Sequence, residues 1–406
     1  MKILLLSDIP PCKDYTGGIV LDQLCRFLPE GSIACYTIVN PVINSKLSAD
    51  LNIPIEYHKK PVERGFRPLP GKAGELIAKW AETRSEKHVL QAILPKAISF
   101  GRSNKVDKLW CMLQGQTIVR LARPLAKALG VPLYTQVWDP FGLWLRANRI
   151  DRDTSRKLLI EFDEVIKSSQ ACATASWAMS EDYTHKYGVR NNPVISSLDK
   201  KSSFPPAAAP NQSDEFVIAL AGQIYAIKEW NALLHAIDRF NWTVDGKRIK
   251  FCILSRRSRL RNLPHDVNQP RFVEYLGWLD QQDAIRVLSN ADMLYVPYWF
   301  SEDFSEESRL AFPSKIVTYF AAGRPVMFHG PDYASPARYL KKYEAGLCCN
   351  SLDPNLIFDH IRLLATNRDV YRMLTTNGSA AFLRDFTRDK MKADFFNFLD
   401  LNNLSE

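Results

Sequence analysis

Short apolar runs alternate with stretches of helical spacing from the first residues onward, and after one interruption the alternation begins again. Lys2–Ser7 is a continuous apolar run, and Ile19, Val20, Leu24, Cys25 and Leu28 then recur at helical spacing up to Pro29. Ile33–Val39, Ile55–His58, Lys108–Leu113, Leu133–Trp138 and Ala171–Ala175 read as further strands. Helices are predicted at Gly74–Ser99, Thr117–Leu129, Asp153–Ser168 and Ser180–Tyr187. Alternation of this kind commits a chain to parallel sheets covered by helices on both faces. Ser196–Asp214 breaks the pattern with Ser202-Ser203, Pro205-Pro206 and Pro210 and reads as a linker. Strand-like runs resume at Phe216–Gly222, Ile249–Leu254, Phe272–Leu276, Met293–Val296, Val326–Phe328 and Gly346–Cys348. The expected fold class is α/β, with two doubly wound domains at 1–195 and 215–385 joined by 196–214. The Phe-rich helix Thr387–Leu401, within 386–406, is expected to pack back on the first domain. Ligands of such folds bind at the carboxyl ends of the strands, so the site is expected in a cleft between the two sheets.

The 406 residues suffice for two cores. Eight cysteines are scattered without a C-x-x-C pair, and seven histidines are dispersed without ligand-like spacing. Reduced thiols in a cytoplasmic protein, no metal and no cofactor are therefore expected. Met1–Asp8 is too short and too soon polar for a signal peptide and reads as a buried first strand. No apolar run approaches the ~18 residues needed to span a bilayer, so a soluble or peripheral protein is expected. The net charge of +9 is concentrated between Lys59 and Lys108. Such a patch attracts anionic lipid surfaces, nucleic acid or phosphorylated substrates alike.

Phe312-Pro-Ser-Lys-Ile-Val-Thr-Tyr-Phe-Ala-Ala-Gly-Arg-Pro-Val326 is the most punctuated stretch. It reads as a helix opening at Pro313/Ser314, running to Ala322, stopping at Gly323 and giving way to a strand from Pro325. Ser314 and Lys315 then sit at the positive end of the helix dipole, which suits a phosphate or diphosphate. One more α/β unit whose first turn happens to carry Ser and Lys fits the same residues.

Four other places sit where strands end. The loop Tyr15-Thr-Gly-Gly18 lets backbone approach a ligand closely; a tight connection needing positive φ explains it equally. It matches neither G-x-G-x-x-G nor a P-loop, which removes support for NAD and Walker-type ATP binding. Asp139 follows the strand ending at Trp138 and could orient a hydroxyl or act as a base, although Asp-Pro is also ordinary turn chemistry. Gly222-Gln-Ile-Tyr-Ala-Ile-Lys228 offers a small residue and a lysine to a diphosphate. Tyr298–Phe312 carries Glu302, Glu306 and Glu307 among aromatic residues, which suit sugar hydroxyls and a base, or a flexible acidic loop.

Gly222–Lys228, Val273-Glu-Tyr-Leu-Gly-Trp278, Asn290-Ala-Asp-Met-Leu-Tyr-Val-Pro297 and Pro313-Ser-Lys through Val326 occur in one order. This ordered set resembles the donor-binding half of retaining GT-B-fold nucleotide-sugar glycosyltransferases of the group 1, family 4-like type. The resemblance implies two Rossmann-like domains facing across a cleft, with the donor on the second. Its usual Arg position is Gln223 here, and only Lys228 matches the diphosphate lysine. The positions of its usual glutamate pair are Leu310 and Thr318, and Pro313-Ser314-Lys315 stands in place of that pair.

The resemblance implies a hexosyl transfer from a nucleotide-sugar to a polysaccharide or lipid-linked acceptor in cell-surface glycan biosynthesis. It is expected to need no metal and to run at the cytoplasmic face of a membrane held by residues 59–108, with no nucleic-acid partner. Asp139, Lys228 and Lys315 are the expected catalytic residues. Gly17, Gly18, Gly222, Gln223, Trp278, Glu306, Glu307, Pro313, Ser314 and Thr318 are the expected donor contacts. A nucleotide-sugar epimerase of the same architecture and a catalytically inactive scaffold are the alternatives.

Overall fold

The first strand, Ile3–Ser7 (β1), is buried at every residue, which is why it reads as an unbroken apolar run rather than an alternating one. Its neighbours are Ile33–Val39 (β2), Ile55–Lys59 (β3), Lys108–Met112 (β4), Leu133–Val137 (β5), Ala171–Thr174 (β6) and Asn191–Pro193 (β7). They form one parallel sheet in the order β3-β2-β1-β4-β5-β6-β7, with Leu5 flanked by Cys35 and Trp110. The order reverses between β1 and β4, and in doubly wound sheets the crevice opens at that reversal.

In this computed structural model, residues 1–39, 45–61, 63, 72–255 and 269–401 are described. The chain divides into two units, Met1–Val194 with Lys392–Glu406, and Ile195–Met391. Within the first unit, Phe395 packs on Trp110 at 4.9 Å and Phe398 meets Tyr134 edge-on at 5.8 Å. Lys108 donates to the Leu399 carbonyl, and the Tyr134 hydroxyl to Asp400.

The stretch predicted as helical, Gly74–Ser99, lies within an unbroken helical run made of Lys72–His88, a π-turn at Val89–Ile93 and a second helix Leu94–Ser103. Pro95 explains the π-turn. It has no N–H for the carbonyl of Gln91, and its ring crowds that carbonyl, so the helix widens by one residue just before it.

The second sheet comprises Glu215–Ala221 (β8), Thr243–Val244 (β9), Lys247–Leu254 (β10), Val273–Tyr275 (β11), Met293–Pro297 (β12), Val326–His329 (β13) and Leu347–Cys349 (β14). Its order is β11-β10-β8-β12-β13-β14, all parallel, with β9 antiparallel on β10. Trp230, Phe251 and Tyr295 are fully enclosed at the centre of this unit's core.

The Pro- and Ala-rich stretch before β8 is bonded into the second unit. Phe204 N–H donates to the Ala321 carbonyl and Ala207 N–H to that of Gly323. The carboxylate of Asp292 accepts from Asn211 N–H at 2.6 Å and Val217 N–H at 2.7 Å.

Candidate active site

In the second unit, β8 ends in Gly222, whose φ of +86° is a left-handed conformation that a side chain would strain. The chain then enters the helix Ile227–Arg239, with Lys228 exposed in its first turn. Lys228 has no hydrogen-bonding or ionic partner among the described residues.

Lys315 comes to the same strand end from the far side of the sequence. It is the first residue of the helix Lys315–Ala321, with Ser314 as its cap position. Pro313 therefore precedes the cap rather than opening the helix. Ser314 itself takes helical dihedrals, its hydroxyl makes no cap bond, and it is left exposed. Gly323 ends the turn at φ +66°, and a Cβ there would stand 2.4 Å from the Pro205 carbonyl oxygen.

The Lys315 ammonium lies 4.8 Å from the centroid of the Tyr225 ring and 3.5 Å from the Gln223 carbonyl oxygen. Among the described residues no carboxylate pairs with it. Burial among these groups, uncompensated by an opposite charge, pushes its pKa down to about 8. An anion arriving here would stabilise the charged form further.

The neighbouring aromatic loop is firmly held. Trp299 stacks on Phe304 at 4.8 Å, tilts against Tyr225 at 4.7 Å and donates from Nε1 to the Tyr225 carbonyl. Glu229, 1% exposed, accepts from Phe300 N–H at 2.8 Å. Glu229, Tyr225 and Trp299 were not among the expected site residues. An acidic residue in a first helical turn was the available signal for Glu229, but its partner is distant in sequence.

The other expected donor contacts are spread out. Gln223 and Glu306 are exposed, Thr318 is half-buried one turn beyond Lys315, and Glu307 is buried at 1%. Trp278 is exposed after β11, two strands away from β8 at the sheet edge.

In the first unit neither Gly17 nor Gly18 takes positive φ; close packing explains both glycines instead. A Cβ on Gly17 would come within 2.7 Å of the Trp138 ring, and one on Gly18 within 2.2 Å of Cys12 Sγ. The glycine loop is thereby set against the end of β5, beside Asp139. Asp139 keeps solvent contact at the rim of a cavity of about 190 Å³. The protein crowding its carboxyl nevertheless raises the pKa above the ordinary carboxylate value.

A larger cavity, about 740 Å³, reaches Leu133 at the opposite, amino-terminal end of β5. The arginine in its wall, Arg120, is already paired with Glu82 and Glu161. Size therefore does not mark the site here; position at the strand ends does.

The basic segment is only partly available. Lys60 is 7% exposed and paired with Asp8 and Glu63, the carboxylates outweighing the burial that would otherwise discharge it. Glu63 also accepts from Thr117 N–H at 2.7 Å, capping the helix Gln116–Leu129. Arg64 and Arg67 lie outside the described residues, as does the side chain of Lys72. Lys79, Arg84, Lys87, Lys96 and Arg102 are exposed.

Among the described residues no helix is long and apolar enough to cross a membrane, and no group of three or more acidic, Cys or His side chains could hold a metal ion.

Residues 215–367, from the start of β8 to the end of the helix Pro354–Thr366, match the family described as glycosyl transferases group 1. No curated protein matches the chain. Among solved structures it is similar to sucrose-phosphate synthase from Thermosynechococcus elongatus, with a TM-score of 0.67 and 13% identity over 100% of both chains. Anabaena HepE in complex with UDP-glucose gives 0.65 and 12% over 98% of this chain and 100% of that one. The lipopolysaccharide outer core galactosyltransferase WaaB gives 0.60 and 14% over 98% and 99%. Residues 215–367 therefore belong to the group 1 glycosyl transferases, and the chain that carries them has the two-unit α/β fold of GT-B glycosyltransferases.

Proposed function

We propose that this glycosyltransferase moves a hexosyl group from a nucleotide diphosphate donor, held by the second unit, to a glycan or lipid-linked acceptor. One observation carries the reading: Lys315, a lysine without a carboxylate partner among the described residues, stands beside the glycine turn that follows β8 inside the matched region. The complex of a similar structure, HepE, with UDP-glucose supports a nucleotide-sugar as the ligand class.

Charge builds on the diphosphate as the glycosidic bond breaks. Lys315 offsets it, with Lys228 and the Ser314 hydroxyl alongside, an electrostatic contribution of the kind that often dominates such barriers. These cations perform the work otherwise given to a divalent metal. Gly17, Gly18 and Asp139 belong to the acceptor side. With retention, the acceptor attacks from the leaving-group face and needs no separate base. With inversion, Asp139 takes the acceptor proton, and its raised pKa makes it a better base than an ordinary aspartate.

A membrane-facing role for the first unit rests on the helix Lys72–His88. Leu76, Trp80 and Arg84 lie at successive four-residue steps on one face, and Leu76 and Trp80 are 69% and 62% exposed. Exposed apolar groups interleaved with Lys79, Arg84 and Lys87 suit an anionic bilayer surface.

Incubation with a panel of nucleotide-sugars tests the activity. Donor hydrolysis or transfer supports it, an interconverted donor favours the epimerase, and absence of turnover favours the scaffold. Co-sedimentation with vesicles tests the surface, and equal binding to neutral and anionic lipid would sink its electrostatic part.

A further inference from the structure

At the mouth of β8 the second sheet comes apart on one side. β8 pairs with β10 from Glu215 to Ala221, but with β12 only at Ile218 and Ala219. Continued in the same register, that short ladder would next carry Ala221 N–H to the Tyr295 carbonyl. A side chain stands in the place of this bond. Ala221 N–H donates to the Tyr319 hydroxyl at 2.8 Å, and the hydroxyl donates to the Tyr295 carbonyl at 3.3 Å. The strand order reverses between β8 and β12, so the phenol is wedged where a doubly wound sheet opens its crevice.

Tyr319 is 0% exposed, and burial pushes its pKa up, so the hydroxyl stays protonated and can both accept and donate. It lies on the helix Lys315–Ala321, one turn after Lys315 and on the same face. The two side chains therefore reach the same piece of chain. Tyr319 holds Ala221, and the Lys315 ammonium lies 3.5 Å from the Gln223 carbonyl, with Gly222 between those two residues. At 3.5 Å the lysine contact is at the limit of a hydrogen bond and fixes little. The shorter, fully enclosed bond from Ala221 is the one that sets the distance between helix and turn. The far end of the helix is held separately, by Phe204 N–H on the Ala321 carbonyl.

We propose that Tyr319 is a positioning residue for the diphosphate site: its hydroxyl, inserted between the ends of β8 and β12, fixes the Gly222 turn relative to the Lys315 ammonium. Tyr319 acts through Lys315, so the proposal rests on the reading of Lys315 as the diphosphate lysine. Tyr319→Phe keeps the ring and removes the wedge. Ala221 N–H then faces the Tyr295 carbonyl with nothing bridging them, and the turn moves toward β12 while the helix stays where Phe204 holds it.

The test is calorimetry on the intact chain with UDP, GDP and ADP, each against its nucleoside. Wild type, Tyr319→Phe, Lys315→Met and the double variant are compared. Tyr319→Phe is expected to weaken the diphosphate about tenfold, leave the nucleoside unchanged, and have no further effect once Lys315 is Met. A merely structural tyrosine would lower the unfolding midpoint and leave the ratio of the two affinities alone. Should Tyr319→Phe fail to fold, an ester in place of the Ala221 amide deletes the same bond with every side chain intact, and the same loss is expected. An unchanged ratio in whichever variant folds would overturn the proposal, as would a loss that persists in full beside Lys315→Met. Equal affinity of the wild type for diphosphate and nucleoside would sink the Lys315 reading and this proposal together. A wild type that discriminates, with Tyr319→Phe discriminating equally, would sink this proposal alone.

Discussion

The Lys315 ammonium lies 4.8 Å from the centre of the Tyr225 ring, on the face where the ring's negative quadrupole is felt. That contact holds the cation at the mouth of β8, where no carboxylate among the described residues does. It leaves the lysine charged at neutral pH but easily discharged, as suits a group that waits for an anion.

Replacing Lys315 by Met keeps the packing on Tyr225 and removes the charge. Loss of a charge-assisted hydrogen bond costs about 1.5–3 kcal/mol, so affinity for a nucleoside diphosphate should fall about 10- to 100-fold in calorimetry. The affinity for the corresponding nucleoside should change little.

The same lysine predicts two opposite pH trends. Its folded pKa of about 8 lies below the unfolded 10.5. The unfolded chain therefore binds more protons between those values, and the ligand-free protein gains stability from this group as pH rises across that window. Diphosphate affinity needs the charged form and should instead decline from pH 7 to pH 9. Both trends should vanish in Lys315→Met, read by urea midpoints and by titration respectively.

Gly323 and Gly222 both have positive φ but differ in surroundings. A Cβ at Gly323 meets the Pro205 backbone, whereas at Gly222 nothing lies within 4 Å. Gly222→Ala should cost about 1–2 kcal/mol from backbone strain alone, and Gly323→Ala about 3 kcal/mol or more because a backbone segment must also move. Urea denaturation monitored on the second unit separates the two.

Asp292 is 0% exposed and accepts from two backbone N–H groups that start β8 and the turn before it. Asp292→Ala leaves two part-buried donors without their acceptor and should cost about 2–3 kcal/mol, while Asp292→Asn, which keeps one acceptor oxygen, should cost about 1 kcal/mol. Thermal unfolding of the two variants gives the comparison.

Much of this was legible in the sequence where the signal is local. β2 appears at Ile33–Val39 as its β-branched run predicts, and the turn at Gly323 follows from a glycine after the last helical position. Contacts between residues far apart were not legible. Nothing near Lys60 marks it as the buried partner of Asp8, so charge counting placed it on a surface patch. Gly17 reads as a close approach to a ligand or a tight connection needing positive φ, yet its reason is the Trp138 ring, which arrives from the end of β5. Ser196–Asp214 lacks periodicity, and backbone bonds such as Phe204 N–H to Ala321 leave none to read. Gln136 looks like one more strand residue until Trp110 is seen donating to its amide oxygen from the neighbouring strand.

Titration of the intact chain with nucleoside diphosphates and their parent nucleosides, by calorimetry at neutral pH, tests the diphosphate site at Lys315 most directly. The account predicts that at least one diphosphate binds and that its nucleoside binds at least about tenfold more weakly, a difference of about 1.4 kcal/mol. Equal affinity for the two, or no binding by any diphosphate, would contradict it.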